Sequence, residues 1–369
     1  MISQRAKIFL SLLFVLFSFI VSNAQTPTPQ PDEDTEKVFT EEIKLNINAL
    51  DADGKFVSDV KKEDLVIMED ARIHQASSIR RIPANILIVM DTGGEMRQAK
   101  SLNQTRATAK SLIAALKAED SVAIMQYHDK AEIIAEWTSD KAAASKILDA
   151  KTNFGKRSVF TGALEMATKF LQKAPLDNRH LVLITDGTDS INNLSQRDAA
   201  MKNLLATDIN VHVISYTQME LADIEPRTKG KTKTPLPNAM PPEVVLTMPE
   251  GIRDMMRARG TGIIINTDRE FLKKMRERKT SLIESEKYLA AIAADTNGEF
   301  VAPASKEEML DKTALVARFI DSSYVITYAP KRPLKESKAG EVRNIEVTSR
   351  RPDLEVQARR KLIVLDNKK

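Results

Sequence analysis

Two hydrophobic rhythms divide the chain after Phe39. Ile43, Leu45 and Ile47 alternate with Lys44, Asn46 and Asn48, the two-residue period of a strand buried on one face. Asp51 to Lys55 (DADGK) reads as a turn. Leu65–Met68 and Ile73–Ile82 are further strand candidates, which makes residues 38–83 an all-β segment. The rhythm then changes. Ile86–Met90 (ILIVM) carries no polar interruption, as expected of a strand buried on both faces. Within Ala99–Leu116, the residues Leu102, Ala109, Leu112, Ile113 and Leu116 recur at helical spacing.

The same alternation continues. Ser121–Tyr127, Leu181–Thr185 and Asn210–Ser215 predict strands, and Lys141–Leu148, Val159–Leu171 and Ser195–Leu205 predict helices. That order predicts a doubly wound, mostly parallel sheet over residues 84–320. Regularity lapses at 217–281, where five prolines fall between Pro226 and Pro242, so this stretch is expected to be an insertion. Helical segments around Tyr288–Ala294 and over Lys306–Phe319, with a strand at Glu299–Val301 between them, resume the pattern. Strands at Tyr324–Tyr328, Val342–Thr348 and Leu354–Ala358 close it. Because strands flank the α/β block on both sides, 38–83 and 321–366 are expected to share one small all-β sandwich. The α/β domain is then inserted in it or flanked by it.

The first residues change the picture of where the protein works. Arg5 and Lys7 precede an apolar run from Ile8 to Val21 and the small-residue stretch Ser22, Asn23, Ala24, which predicts a signal peptide over 1–24 and a mature chain beginning at Gln25. Residues 25–37 (QTPTPQPDEDTEK) hold three prolines and no apolar period, as in a flexible tether. No later stretch is apolar enough to span a bilayer, so an exported protein of periplasm, cell surface or medium is expected. The absence of cysteine excludes disulfides and thiolate chemistry. Losing Arg5 and Lys7 takes the formal charge from +4 to +2, too balanced to indicate nucleic acid. Between Arg227 and Lys279, however, 13 Lys or Arg stand against 6 Asp or Glu.

Ligands of an open parallel sheet gather where strand carboxyl ends meet helix amino ends. Three polar loops lie at such places: Asp91-Thr92-Gly93-Gly94-Glu95-Met96, Gly155 to Gly162 (GKRSVFTG), and Thr185-Asp186-Gly187-Thr188-Asp189-Ser190. With an apolar strand running into Asp91 and TDG after a later strand, the chain resembles the von Willebrand factor type A family over about 86–320. It is closer still to the exported bacterial branch known as the acidobacterial-type VWFA-related domain. There a Tyr-rich strand follows the domain, as Tyr324-Val325-Ile326-Thr327-Tyr328-Ala329-Pro330 does, and the flanks extend the resemblance over about 38–365.

The resemblance implies a metal-ion-dependent adhesion site for Mg²⁺ or Mn²⁺ that bridges to an acidic side chain of a protein partner. Asp91 matches the family's leading Asp and Asp186 its third-loop Asp. Gly93 and Glu95 stand where the family has two serines. The second-loop hydroxyl falls on Ser158, with Thr161 as the substitute in another register. The implied metal ligands are therefore Asp91, Glu95, Ser158 and Asp186, an oxygen set suited to a hard cation. His74, His128, His180 and His212 show no ligand spacing and are expected to be packing or surface residues. The reading is a protein-binding module rather than an enzyme. A structural envelope component with a vestigial site is one alternative, and a metal-dependent hydrolase is another.

Overall fold

The alternation at Ile43 builds β1 (Ile43–Leu50), with Leu45, Ile47 and Ala49 fully buried. A helical turn at Lys62–Asp64 leads to β2 (Leu65–Glu69), β3 (Arg72–His74) and β4 (Ser78–Arg80). The strand expected over Ile73–Ile82 is thus two strands. The split has a topological cause, since β3 pairs with β2 while β4 pairs with residues 325–327 in a different sheet.

The structure, a computed structural model, describes residues 41–94, 101–191, 193–232, 249–251 and 264–365. The expected signal peptide, the tether and Glu95 lie outside the described residues. The α/β block runs β5 (Asn85–Asp91), α1 (Leu102–Ala115), β6 (Ser121–Tyr127), β7 (Ala131–Thr138), α2 (Lys141–Lys151), α3 (Phe160–Gln172), β8 (Arg179–Thr185), α4 (Leu194–Leu205), β9 (Asn210–Ser215) and α5 (Thr217–Ile224). Then follow a short ribbon of β10 (Lys231–Thr232) and β11 (Ile264–Ile265), α6 (Arg269–Asp295), β12 (Phe300–Val301) and α7 (Lys306–Asp321). Side-chain oxygens of Ser101, Asp140, Asn193, Asp268 and Ser305 cap α1, α2, α4, α6 and α7, each taking one of the amide hydrogens that a helix start leaves unpaired.

The central sheet has the order β12-β9-β8-β5-β6-β7, parallel except for β7, which returns antiparallel to β6. Alternate strand residues point to opposite faces. Ile86, Ile88 and Met90 pack with α1, α2 and α7, whereas Leu87 and Val89 pack with α3, α4 and α6. Strand β7 escapes the hydrophobic pattern because its edge position leaves Glu132 and Glu136 among its apolar residues and its hairpin turn, His128–Lys130, has neither Gly nor Pro. Expectation also fails at 281, where an insertion boundary would fall inside α6, a single helix of 27 residues. Met275, Leu282, Leu289 and Ile292 form its buried stripe, and the solvent-side Lys273, Lys274, Arg276 and Glu277 obscure that period.

Strands β13 (Ser323–Tyr328), β14 (Val342–Ser349), β15 (Glu355–Ala358) and β16 (Lys361–Ile363) complete two antiparallel sheets, β15-β1-β13-β4 and β16-β14-β2-β3. Each sheet draws strands from both ends of the described chain. Leu45, Ile47, Leu65, Ile67, Tyr324, Ile326, Tyr328, Ile345 and Val347 fill the space between them. The fold class expected from the sequence holds, with an α/β sheet set in an all-β sandwich.

Candidate functional site

Strands β5 and β8 lie side by side and end at Asp91 and Thr185, so the loops that follow them leave the sheet as neighbours. Asp91 and Asp186 are both buried. The second loop closes on them, because Ser158 Oγ donates to Asp91 Oδ1 at 3.0 Å and the Gly93 amide reaches the same oxygen at 2.9 Å. Ser158 rather than Thr161 is thus the hydroxyl brought to Asp91. The Thr161 amide instead donates to Asp189 Oδ2 at 2.8 Å, so a third-loop carboxylate holds the amino end of α3. Ser190 N to Ser158 O and Ser158 N to Ser190 Oγ, at 2.8 and 2.9 Å, tie the second loop to the third.

Below this surface, Tyr127 OH meets Thr185 Oγ1 at 2.6 Å, and Thr185 Oγ1 lies 3.5 Å from Asp91 Oδ2. Burial pushes the Tyr127 hydroxyl well above its usual range, with Asp91 and Asp186 adding to it, so it stays neutral. Gly93 is sterically required. A β-carbon there would lie 1.8 Å from the Arg157 carbonyl oxygen and 2.8 Å from Ser158 Oγ. Loop and loop pack too closely for the serine of the family pattern.

Asp186 has further partners that the sequence did not suggest. Its Oδ1 accepts from Thr188 N at 2.8 Å and Thr188 Oγ1 at 2.6 Å. Its Oδ2 accepts from the Arg278 guanidinium at 2.9 Å. Arg278, on α6, also donates to Glu220 Oε2 of α5 at 2.7 Å and to Thr188 Oγ1 at 2.8 Å. Burial works against the Arg278 charge, but the Asp186 and Glu220 carboxylates outweigh it and hold the guanidinium well above its usual range. Ser285, two turns on, donates to the Asp186 carbonyl at 2.7 Å. A signal was present in the spacing, since Arg278 and Ser285 interrupt the apolar series Met275, Leu282, Leu289 on one helix face.

The described side chains as arranged do not fit the divalent ion that the resemblance implies. Asp186 is paired with a cation, Ser158 spends its proton on Asp91, and Gly93 leaves no room for another hydroxyl. Among the described residues, no three His, Asp or Glu side chains gather into a cluster able to hold a metal ion. Three of the four histidines, His74, His180 and His212, are buried among packed residues. His180 Nδ1 and His212 Nε2 are 2.9 Å apart in the core beneath the sheet's opposite edge, and His74 Nε2 accepts the Lys331 amide at 3.0 Å.

Residues 86–188 match the family model of the von Willebrand factor type A domain. No curated protein is similar enough to match the chain. Among solved structures, an aerotolerance-related membrane protein from Bacteroides fragilis is 17% identical with a TM-score of 0.39, over 64% of this chain and 98% of that one. BatB from Bacteroides thetaiotaomicron is also 17% identical, with a TM-score of 0.37 and the same coverage of 64% and 98%. A von Willebrand factor type A protein from Catenulispora acidiphila is 9% identical with a TM-score of 0.41, over 90% of this chain and 76% of that one.

Proposed function

We propose that this chain, which carries a von Willebrand factor type A domain over residues 86–188, is an exported, non-enzymatic binding module that docks another protein on its three-loop face. The observation that carries the reading is the interlocking of the loops at the carboxyl edge of the parallel sheet, through Ser158 to Asp91, Ser190 to Ser158 and Thr161 to Asp189. Such a face is rigid before a partner arrives, which lowers the ordering cost of docking. It also exposes apolar side chains just before the second loop and just beyond the third, Phe154 at 49%, Ile191 at 53% and Leu194 at 65% exposure. Asp91 is engaged by donors of the first and second loops and Asp186 by donors of its own loop and by Arg278, an arrangement suited to holding shape rather than activating water. Export is supported by the charged, apolar and small-residue succession over residues 1–24.

The test is crosslinking capture from the exported proteome of a producing cell with the mature chain as bait. Ile191→Asp with Leu194→Asp is expected to cut recovery of the specific partner at least tenfold while circular dichroism stays unchanged. Equal recovery of every captured protein by wild type and double variant overturns the loop face as the docking surface.

A further inference from the structure

We propose that Arg278 is the resident cation of the loop site, taking at Asp186 the place a divalent ion would occupy, so that the wild-type loop face is indifferent to Mg²⁺ and Mn²⁺. The inference stands whether or not the face docks a protein, because it concerns only what neutralises Asp186.

Three observations converge on it. The guanidinium lies 2.9 Å from Asp186 Oδ2, and Mg²⁺ binds carboxylate oxygens at roughly 2.0–2.1 Å, so ion and guanidinium cannot share that oxygen without strong like-charge repulsion. Arg278 is fixed to the loop by more than the ion pair. It donates to Thr188 Oγ1, while Ser285 of the same helix face holds the Asp186 carbonyl and Leu289 crowds Gly187, where a β-carbon would come within 2.7 Å of its Cδ1. Gly187 meets that crowding with φ +68°, a left-handed conformation that favours glycine. A helix seated this closely presents its arginine at a high effective concentration, against which a free and strongly hydrated ion competes poorly.

Charge completes the case. Asp186 and Glu220 are nearly enclosed, with 3% and 4% of their side chains exposed, and Arg278 pairs with both. Buried carboxylates require a partner charge. The basic excess between Arg227 and Lys279 thereby acquires a specific role at one of its residues, with Arg278 turned inward while Lys273 and Arg276 face solvent. Removing the guanidinium should leave two carboxylates, the Ser158 hydroxyl and room for a hydrated ion.

The experiment titrates Mn²⁺, followed by electron paramagnetic resonance, and Mg²⁺, followed by calorimetry, into the mature wild type and Arg278→Gln. Wild type is expected to bind neither ion at millimolar concentration, and Arg278→Gln to bind Mn²⁺ at least tenfold more tightly. Asp186→Asn in the Arg278→Gln background should abolish the gain, and Arg278→Lys, which keeps a cation, should remain blind to metal. If Arg278→Gln does not fold, Arg278→Met, which keeps the length of the apolar stem without the cation, is read in the same way. Equal Mn²⁺ binding by wild type and variant, no binding by a folded variant, or a gain that survives Asp186→Asn each overturns the proposal.

Discussion

At Gly93 a single missing side chain decides what the loop face can become. The family pattern places a serine there, and Gly93→Ser looks like a restoration on paper. Its β-carbon would fall 1.8 Å from the Arg157 carbonyl oxygen, a backbone atom that cannot turn aside. Overpacking of this kind costs roughly 1–3 kcal/mol. Gly93→Ser is therefore expected to lower stability by about that amount in urea denaturation and to gain no Mn²⁺ binding while Arg278 is present. An unchanged denaturation midpoint would show that the second loop yields freely. Asp91, Ser158 and Asp186 were legible in the sequence because each ends or follows an apolar strand or precedes a helix. Arg278 was not, since its partners lie 92 and 58 residues away and only folding brings them together. Sequence spacing marks which loops share an edge, whereas the counter-charge comes from a helix laid across that edge.

Neighbouring strands β8 and β9 carry a titratable pair, His180 and His212, fully buried in the low polarity of the core. The Glu299 amide donates to His212 Nδ1 at 3.0 Å, which leaves the His212 proton on Nε2, directed at His180 Nδ1 at 2.9 Å. His180 then donates from Nε2 to Asn178 Oδ1 at 2.8 Å, so the chain of hydrogen bonds is satisfied only when both rings are neutral. Burial pulls His180 down to about 3 and His212 well below its usual value of 6.5, with His180 contributing to the latter. Both folded values lie below the unfolded one. Above pH 6.5 neither state binds the proton and the pair contributes no pH dependence. As pH falls from 6.5 towards 3, the unfolded chain takes up protons that the folded chain refuses, and stability is lost. From pH 7.5 to pH 5 the loss from His180 is expected to be about 2 kcal/mol, and His212 adds to it in the same direction. Urea denaturation at the two pH values measures it, and His180→Asn with His212→Gln should flatten the slope. An equal slope in wild type and double variant would show that other groups carry the pH dependence. The strands bearing this pair were plain from their apolar runs, but the pairing was not, because His180 and His212 become neighbours only through the parallel register of β8 and β9.

Among the described residues, the sandwich and the α/β layers are joined by polar contacts, several of them buried, and their apolar cores are separate. Asn297 Nδ2 reaches Asn48 Oδ1 at 2.8 Å, Asn48 Nδ2 reaches Ser322 Oγ at 2.6 Å, and Lys361 Nζ reaches Asp295 at 2.8 Å. A further joint is Arg359, which sits between β15 and β16 with 2% exposure. Its guanidinium donates to the carbonyls of Leu205 and Thr207 at the carboxyl end of α4 and to Lys361 O. Burial lowers its pKa to about 10, which still leaves it charged at neutral pH. A cation at a helix carboxyl end satisfies carbonyls that have no partner within the helix and complements the helix dipole. Arg359→Met fills most of the volume but leaves those carbonyls buried without a donor, at a cost of roughly 1–3 kcal/mol for each. The loss falls on the joint alone, because the apolar packing of the sandwich and of the two helical layers is untouched. Wild type is accordingly expected to melt in one calorimetric transition and Arg359→Met in two, the sandwich separating from the α/β domain. A single transition in the variant, merely shifted to lower temperature, would mean that the asparagine contacts and the two chain crossings suffice to couple the units.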